Sequence, residues 1–197
     1  MNAGLFLTHL IQSGWIKNLQ TSTLAFDIAQ VFLSLNHHLI PLILRKTGCD
    51  LKISNFFSDY LVDRKTCYSW NGFMLPFFST NEGIGQGLAF LPILLAFFII
   101  LIFHIFEKRI KNINIPIFFL LFVDDGLFIS QEKSFIYLNT NPFCSYNIMI
   151  TLLDQFGLVV KHEKTEVFYF SRSIGAFDLL ALDLSQISRP ILYSKDI

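Results

Sequence analysis

Two adjacent carboxylates, Asp124 and Asp125, stand in an otherwise mostly apolar stretch, Phe122-Val123-Asp124-Asp125-Gly126-Leu127-Phe128. Like charges placed side by side repel and lose hydration unless cations or hydrogen bonds compensate them. A third carboxylate, Asp27, closes another apolar run, Leu24-Ala25-Phe26. Three such groups brought together could hold two Mg²⁺ ions about 4 Å apart, the arrangement used for in-line phosphoryl transfer. A solvated turn is the plainer reading, since Asp and Gly are common turn residues. Gly83-Ile84-Gly85-Gln86-Gly87 has three glycines in five residues. Such a loop can let backbone approach a nucleotide or phosphate, although it matches neither the Walker pattern nor GxGxxG. Lys161-His162-Glu163-Lys164-Thr165-Glu166 is a charged turn that, taken alone, reads as a solvated loop.

These groups need elements to position them. Residues 115–123 read as a buried strand and 127–130 as its returning partner, with Asp125-Gly126 as the tight-turn signal at the hairpin tip. Residues 24–26 read as a short strand ending on Asp27, with Thr21-Ser22-Thr23 breaking the pattern before it. Helical spacing is expected over 5–19, over 37–46 with Asn36 as N-cap and Gly48 as stop, and over 52–62. Asn71-Gly72 signals a hairpin within 65–78. Residues 88–103 carry no charge and are interrupted at Pro92. They are slightly short for a membrane span and are read as a buried helix, although their hydropathy invites a transmembrane assignment. Asn139 to Pro142 reads as a break, 145–156 as an amphipathic helix stopped by Gly157, and 158–160 and 167–170 as strands. A strand, a helix, two strands, then a helix and a strand fit an antiparallel sheet backed by helices, an α+β fold.

The chain has 197 residues, 53% hydrophobic and 16% aromatic, with 23 Phe, which excludes a disordered or solvating segment. Net charge is zero, so the chain as a whole has no electrostatic signature of nucleic-acid binding. Cys49, Cys67 and Cys144 are odd in number and widely spaced. They are expected to be buried thiols in a reducing compartment rather than a disulfide frame or zinc site. No signal-peptide pattern opens the sequence, and an intracellular protein is expected.

Taken in order, the motifs resemble those of reverse transcriptases from non-LTR (LINE-like) retrotransposons, particularly fungal ones. Phe26-Asp27-Ile28 through Asn36-His37 is similar to the first palm motif, and the Gly83–Gly87 loop with Pro92 to the second. Phe122-Val123-Asp124-Asp125 is similar to the Tyr/Phe-x-Asp-Asp motif, and Gly157-Leu158 through Lys164-Thr165-Glu166 to the fourth. The resemblance covers about 7–172 and implies a partial polymerase palm over 1–172 with a ferredoxin-like core, followed by an irregular tail over 173–197. It implies RNA-directed DNA polymerase chemistry, with Asp27, Asp124 and Asp125 holding two Mg²⁺ ions, or Mn²⁺ in their place. Lys164 would protonate the leaving pyrophosphate. Ile28, Phe32, Gln86 and Gly87 would contact the nucleotide, Phe32 excluding a ribose 2′-hydroxyl. RNA template, DNA primer and deoxynucleotide are the implied partners, with fingers and thumb expected to be missing here or supplied by another chain. Leu33, Leu88 and Leu91 depart from the usual pattern, where Pro and small polar residues are common. A catalytically dead relic of the same domain, or a small membrane protein anchored by 88–103, are the alternatives.

Overall fold

The fold was obtained as a computed structural model that describes residues 3–80, 82–84, 90–171 and 192–193. The chain divides into two compact units, one of Met1–Ala29, Glu107–Thr151 and Val159–Ile197, the other of Gln30–Phe106 and Leu152–Leu158.

The first unit is built on an antiparallel sheet whose central strand is β1 (Gln20–Ala29). β7 (Asp125–Glu132) pairs with it on one side, and β6 (Phe118–Phe122) lies beyond β7 at the edge. On its other side β1 pairs with β8 (Val159–Val160) and β9 (Glu166–Phe170). Leu192–Tyr193, within the stretch expected to be irregular, adds a parallel strand β10 to β9. Helices α1 (Ala3–Ile16) and α5 (Phe135–Gln155) pack on β1. The spatial order β9-β1-β7-β6 is that of the expected ferredoxin-like core.

Successive residues of a strand face opposite ways. On one face of β1, Ser22, Leu24, Phe26 and Ile28 are all buried. On the other, Thr21 and Thr23 are buried but Ala25, Asp27 and Ala29 are only half-buried. Thr21-Ser22-Thr23 is therefore no break in the strand. Paired on both sides, these small polar residues form its best-covered part. The expected buried strand over 115–123 is likewise corrected to the shorter β6, which is half-exposed because it is an edge strand.

The expected break at Asn139–Pro142 lies inside α5. Proline has no N–H to give to the carbonyl four residues back. That acceptor is Leu138 O, and the Ser22 hydroxyl donates to it at 2.6 Å, so a β1 side chain supplies the hydrogen bond that Pro142 cannot.

In the second unit, α2 (Leu39–Lys46) starts two residues later than expected, with His38 rather than Asn36 at its N-cap position, and α3 (Leu51–Leu61) forms close to expectation. The Asp50 carboxylate caps α3 by accepting from Lys52 N–H at 2.7 Å. Ser54 joins the two helices, donating to Pro41 O at 3.0 Å and accepting from Arg45 Nε at 3.1 Å. The Asn71-Gly72 turn joins β3 (Ser69–Trp70) to β4 (Phe73–Met74), both turn residues having positive φ. β2 (Lys65–Thr66) pairs with β5 (Phe78–Ser79) below it. Helix α4 (Leu91–Ile113) starts later than expected and holds Pro92 in its first turn, where proline is tolerated, so it is not interrupted. It is not buried all round either. Leu91, Leu94, Leu95, Phe98, Ile102 and Phe106 form a buried stripe at helical spacing, while Ile93 and Ile100 are exposed. By length and composition alone α4 could cross a membrane. The cysteines are free and, contrary to expectation, not buried. Cys49 follows α2, Cys67 lies between short strands, and Cys144 is on the outward face of α5.

Candidate active site

The second acidic run forms a hairpin whose turn is Val123-Asp124, because Phe122 pairs directly with Asp125. This corrects the expected turn at Asp125-Gly126. Gly126 lies within β7, and its lack of a side chain serves another purpose: a Cβ there would collide with the Phe26 ring. Val123 instead takes the left-handed conformation, with a φ of 60°, unfavourable for a β-branched residue. The turn is held in that shape from outside, since Asp124 O accepts from Ile28 N–H on β1 at 2.8 Å.

The register then puts Asp27 opposite Asp125 across the β1–β7 pair. Asp27 sits on the half-covered face of β1, with Asp124 half-buried in the turn and Asp125 exposed. On the other flank, Lys161 N–H donates to Asp27 O at 2.9 Å and opens a short 3₁₀ turn, His162–Lys164. Positions three apart in such a turn eclipse one another. Lys161 and Lys164 therefore both reach Asp27. Lys161 Nζ lies 3.1 and 3.2 Å from its two carboxylate oxygens, and Lys164 Nζ lies 2.8 Å from Oδ2. Burial raises the Asp27 pKa, but hydrogen bonds and charge from Lys164 and Lys161 outweigh it and hold the carboxyl below its ordinary value. The same hydrogen bond to Asp27, with the charge of Asp27 and a smaller effect of Asp125, raises Lys164. Behind the turn, Tyr146 from α5 meets His162 Nδ1 and Thr165 Oγ1, each at 2.8 Å.

A cavity of about 940 Å³ opens beside these groups, lined by Asp27, Asp125, Glu163 and Lys164 and by apolar residues including Phe6 and Leu121. Carboxylates paired across two strands are the right kind of donor for a hard cation such as Mg²⁺. Among the described residues, however, no group of three or more His, Cys, Asp or Glu side chains converges as a finished metal site. The Asp27 oxygens are held by ammonium groups instead. The residues present fit the ion in kind, provided that Asp27 is released from lysine.

Of the other expected site residues, Ile28 is buried next to Asp27. Phe32 belongs to the second unit, where its carbonyl accepts from Ile84 N–H at 2.9 Å. Gly83 donates to Leu35 O at 2.9 Å, and its carbonyl meets His37 Nε2 at 2.6 Å. The stretch carrying Phe32 and the start of the glycine-rich loop are thus tied together. Gln86 and Gly87 lie outside the described residues. Lys161 and the Tyr146–His162–Thr165 cluster are absent from the sequence-based site. The signal available was the three-residue spacing of Lys161 and Lys164.

No protein-family model and no curated protein matches the chain. Solved structures do. An apo telomerase from Candida tropicalis, truncated from its C-terminal domain, matches 89% of this chain with a TM-score of 0.63 at 16% identity. A Candida tropicalis telomerase with a fragment of telomeric RNA matches 88% with a TM-score of 0.63 at 14% identity. A Candida albicans telomerase, also with such a fragment, matches 88% with a TM-score of 0.60 at 11% identity. The chain spans 37%, 30% and 31% of those proteins, about a third of their length. At these identities the likeness is one of fold: the chain has a reverse-transcriptase-like α+β fold.

Proposed function

We propose that this chain is the palm of an RNA-directed DNA polymerase of the non-LTR retrotransposon type, found in fungi. The observation that carries the proposal is the pairing of Asp27 with Asp125, beside the Val123-Asp124 turn and above a cavity, within a reverse-transcriptase-like fold. The four ordered motifs support the retrotransposon type, and the RNA fragments held by two of the similar telomerases support an RNA template. Deoxynucleotide and a DNA primer complete the reaction, inside the cell.

In this reading a primer 3′-oxygen attacks the α-phosphorus of the nucleotide, and the bond to pyrophosphate breaks. Asp27, Asp124 and Asp125 would hold Mg²⁺, which when bound favours the deprotonated 3′-hydroxyl and stabilises charge on the phosphates. Lys164 would give its proton to the departing pyrophosphate oxygen. The motif resemblance would give Phe32 the exclusion of a 2′-hydroxyl and would give Ile28, Gln86 and Gly87 roles toward the nucleotide.

The test is extension of a DNA primer on an RNA template with deoxynucleotides and Mg²⁺. Wild-type extension that is lost in Asp124→Asn supports the proposal. Extension unaffected by that substitution overturns it. A second reading, a silent relic with the same fold, is favoured by the occupation of both Asp27 oxygens by lysine. Its outcome is no extension by either protein.

A further inference from the structure

The two lysines on Asp27 are not equivalent. Lys164 touches only one carboxylate oxygen, from the far end of the 3₁₀ turn, and its side chain is 57% exposed. Lys161 is 30% exposed, bridges both oxygens, and is tied to the same residue through its backbone N–H. Its place in the chain is fixed further by the β1–β8 pairing just before it and by the Tyr146 hydroxyl on His162 just after it. An ammonium anchored in this way loses little entropy in staying on the carboxylate, whereas Lys164 can swing away.

We infer that Lys161 is a resident counter-ion that competes with a divalent cation for Asp27, so that it sets the site's metal affinity. This rests on the carboxylates being a cation site, the reading proposed above. A divalent ion needs the oxygens that Lys161 covers, so its ammonium must leave before the ion can be held. The charge on Lys161 then opposes the cation twice, by occupying the ligand and by repelling the newcomer.

The probe is Mn²⁺ alone, its free concentration read by paramagnetic resonance during titration of the full chain, with melting curves to verify folding. Lys161→Met keeps the aliphatic stem and removes the charge. It is expected to tighten Mn²⁺ binding roughly five- to tenfold, the scale for removing a partly exposed competing charge. Lys161→Arg should bind no more tightly than wild type, and adding Asp27→Asn to Lys161→Met should abolish the gain. Lys161→Gln serves in the same way if the methionine variant does not fold. Wild type that binds Mn²⁺ through Asp27, with unchanged or weaker binding after charge removal, overturns the role of Lys161 and leaves the cation site standing. Folded variants that bind no Mn²⁺ at all overturn both.

Discussion

At the end of β1, Asp27 carries one negative charge against two ammonium groups and is mostly shielded from water. Its replacement by Asn keeps the shape and leaves both lysines without a countercharge. A loss of about 1–2 kcal/mol is expected, since hydrogen bonds to charged groups are strong but Lys164 is well solvated. The difference from wild type should be flat at neutral pH. The folded-state pKa of Asp27 is depressed, so its contribution is present above the ordinary value of 3.8 and lost as pH falls through the lower folded value. That of Lys164 is raised, so its contribution is present below 10.5 and lost as pH rises through the higher folded value. Urea melts of both proteins across pH would show the two limbs. Val123 makes a second prediction at this scale. Its positive φ at the first turn position, without one at the second, is the pattern that favours glycine there. Val123→Gly should raise stability by about 0.5–1 kcal/mol, strain relief exceeding the entropy of the added glycine. Thermal unfolding measures it, and a destabilised variant would show that Val123 makes compensating contacts.

Among the elements, α5 and β1 are locked together by one hydrogen bond that neither could complete alone. Ser22→Ala removes the donor from Leu138 O, which Pro142 has already deprived of its helical partner. The expected cost is about 1–2 kcal/mol for a carbonyl left unsatisfied in the core. In a Pro142→Ala background the restored backbone N–H should reduce that cost by half or more. A double-mutant cycle by chemical denaturation checks it, and equal costs in both backgrounds would contradict the account. This contact also shows why the sequence misled at that point. Proline signals a helix break by local rules, and a serine 120 positions earlier overrides it. β1 was misjudged for a similar reason: Thr21, Ser22 and Thr23 look polar, and their burial comes from pairing on both sides. Elements with local causes were legible, as with helix α3 and the Asn71-Gly72 turn.

For the molecule as a whole, the sequence showed strand order and the strands that carry Asp27 and Asp125, because apolar runs that end on Asp are conspicuous in so hydrophobic a chain. It did not show the exact turn, because Asp125-Gly126 is a strong local signal that loses to the Phe26 ring over Gly126 and to pairing of Phe122 with Asp125. Nor did it show Lys161, whose role depends on a 3₁₀ turn brought against β1 from far along the chain. The fold is that of the matched third of the telomerases, and the central claim is that its carboxylate end is a nucleotidyl-transfer site. The most direct measurement is single-turnover incorporation of one templated deoxynucleotide on a preformed RNA–DNA duplex, by wild type and by Asp27→Asn of verified fold. The account predicts incorporation by the wild type and a fall of about a thousandfold or more in the variant, as for loss of a ligand to the reacting site. Equal rates in the two proteins, or no incorporation by either, would contradict it.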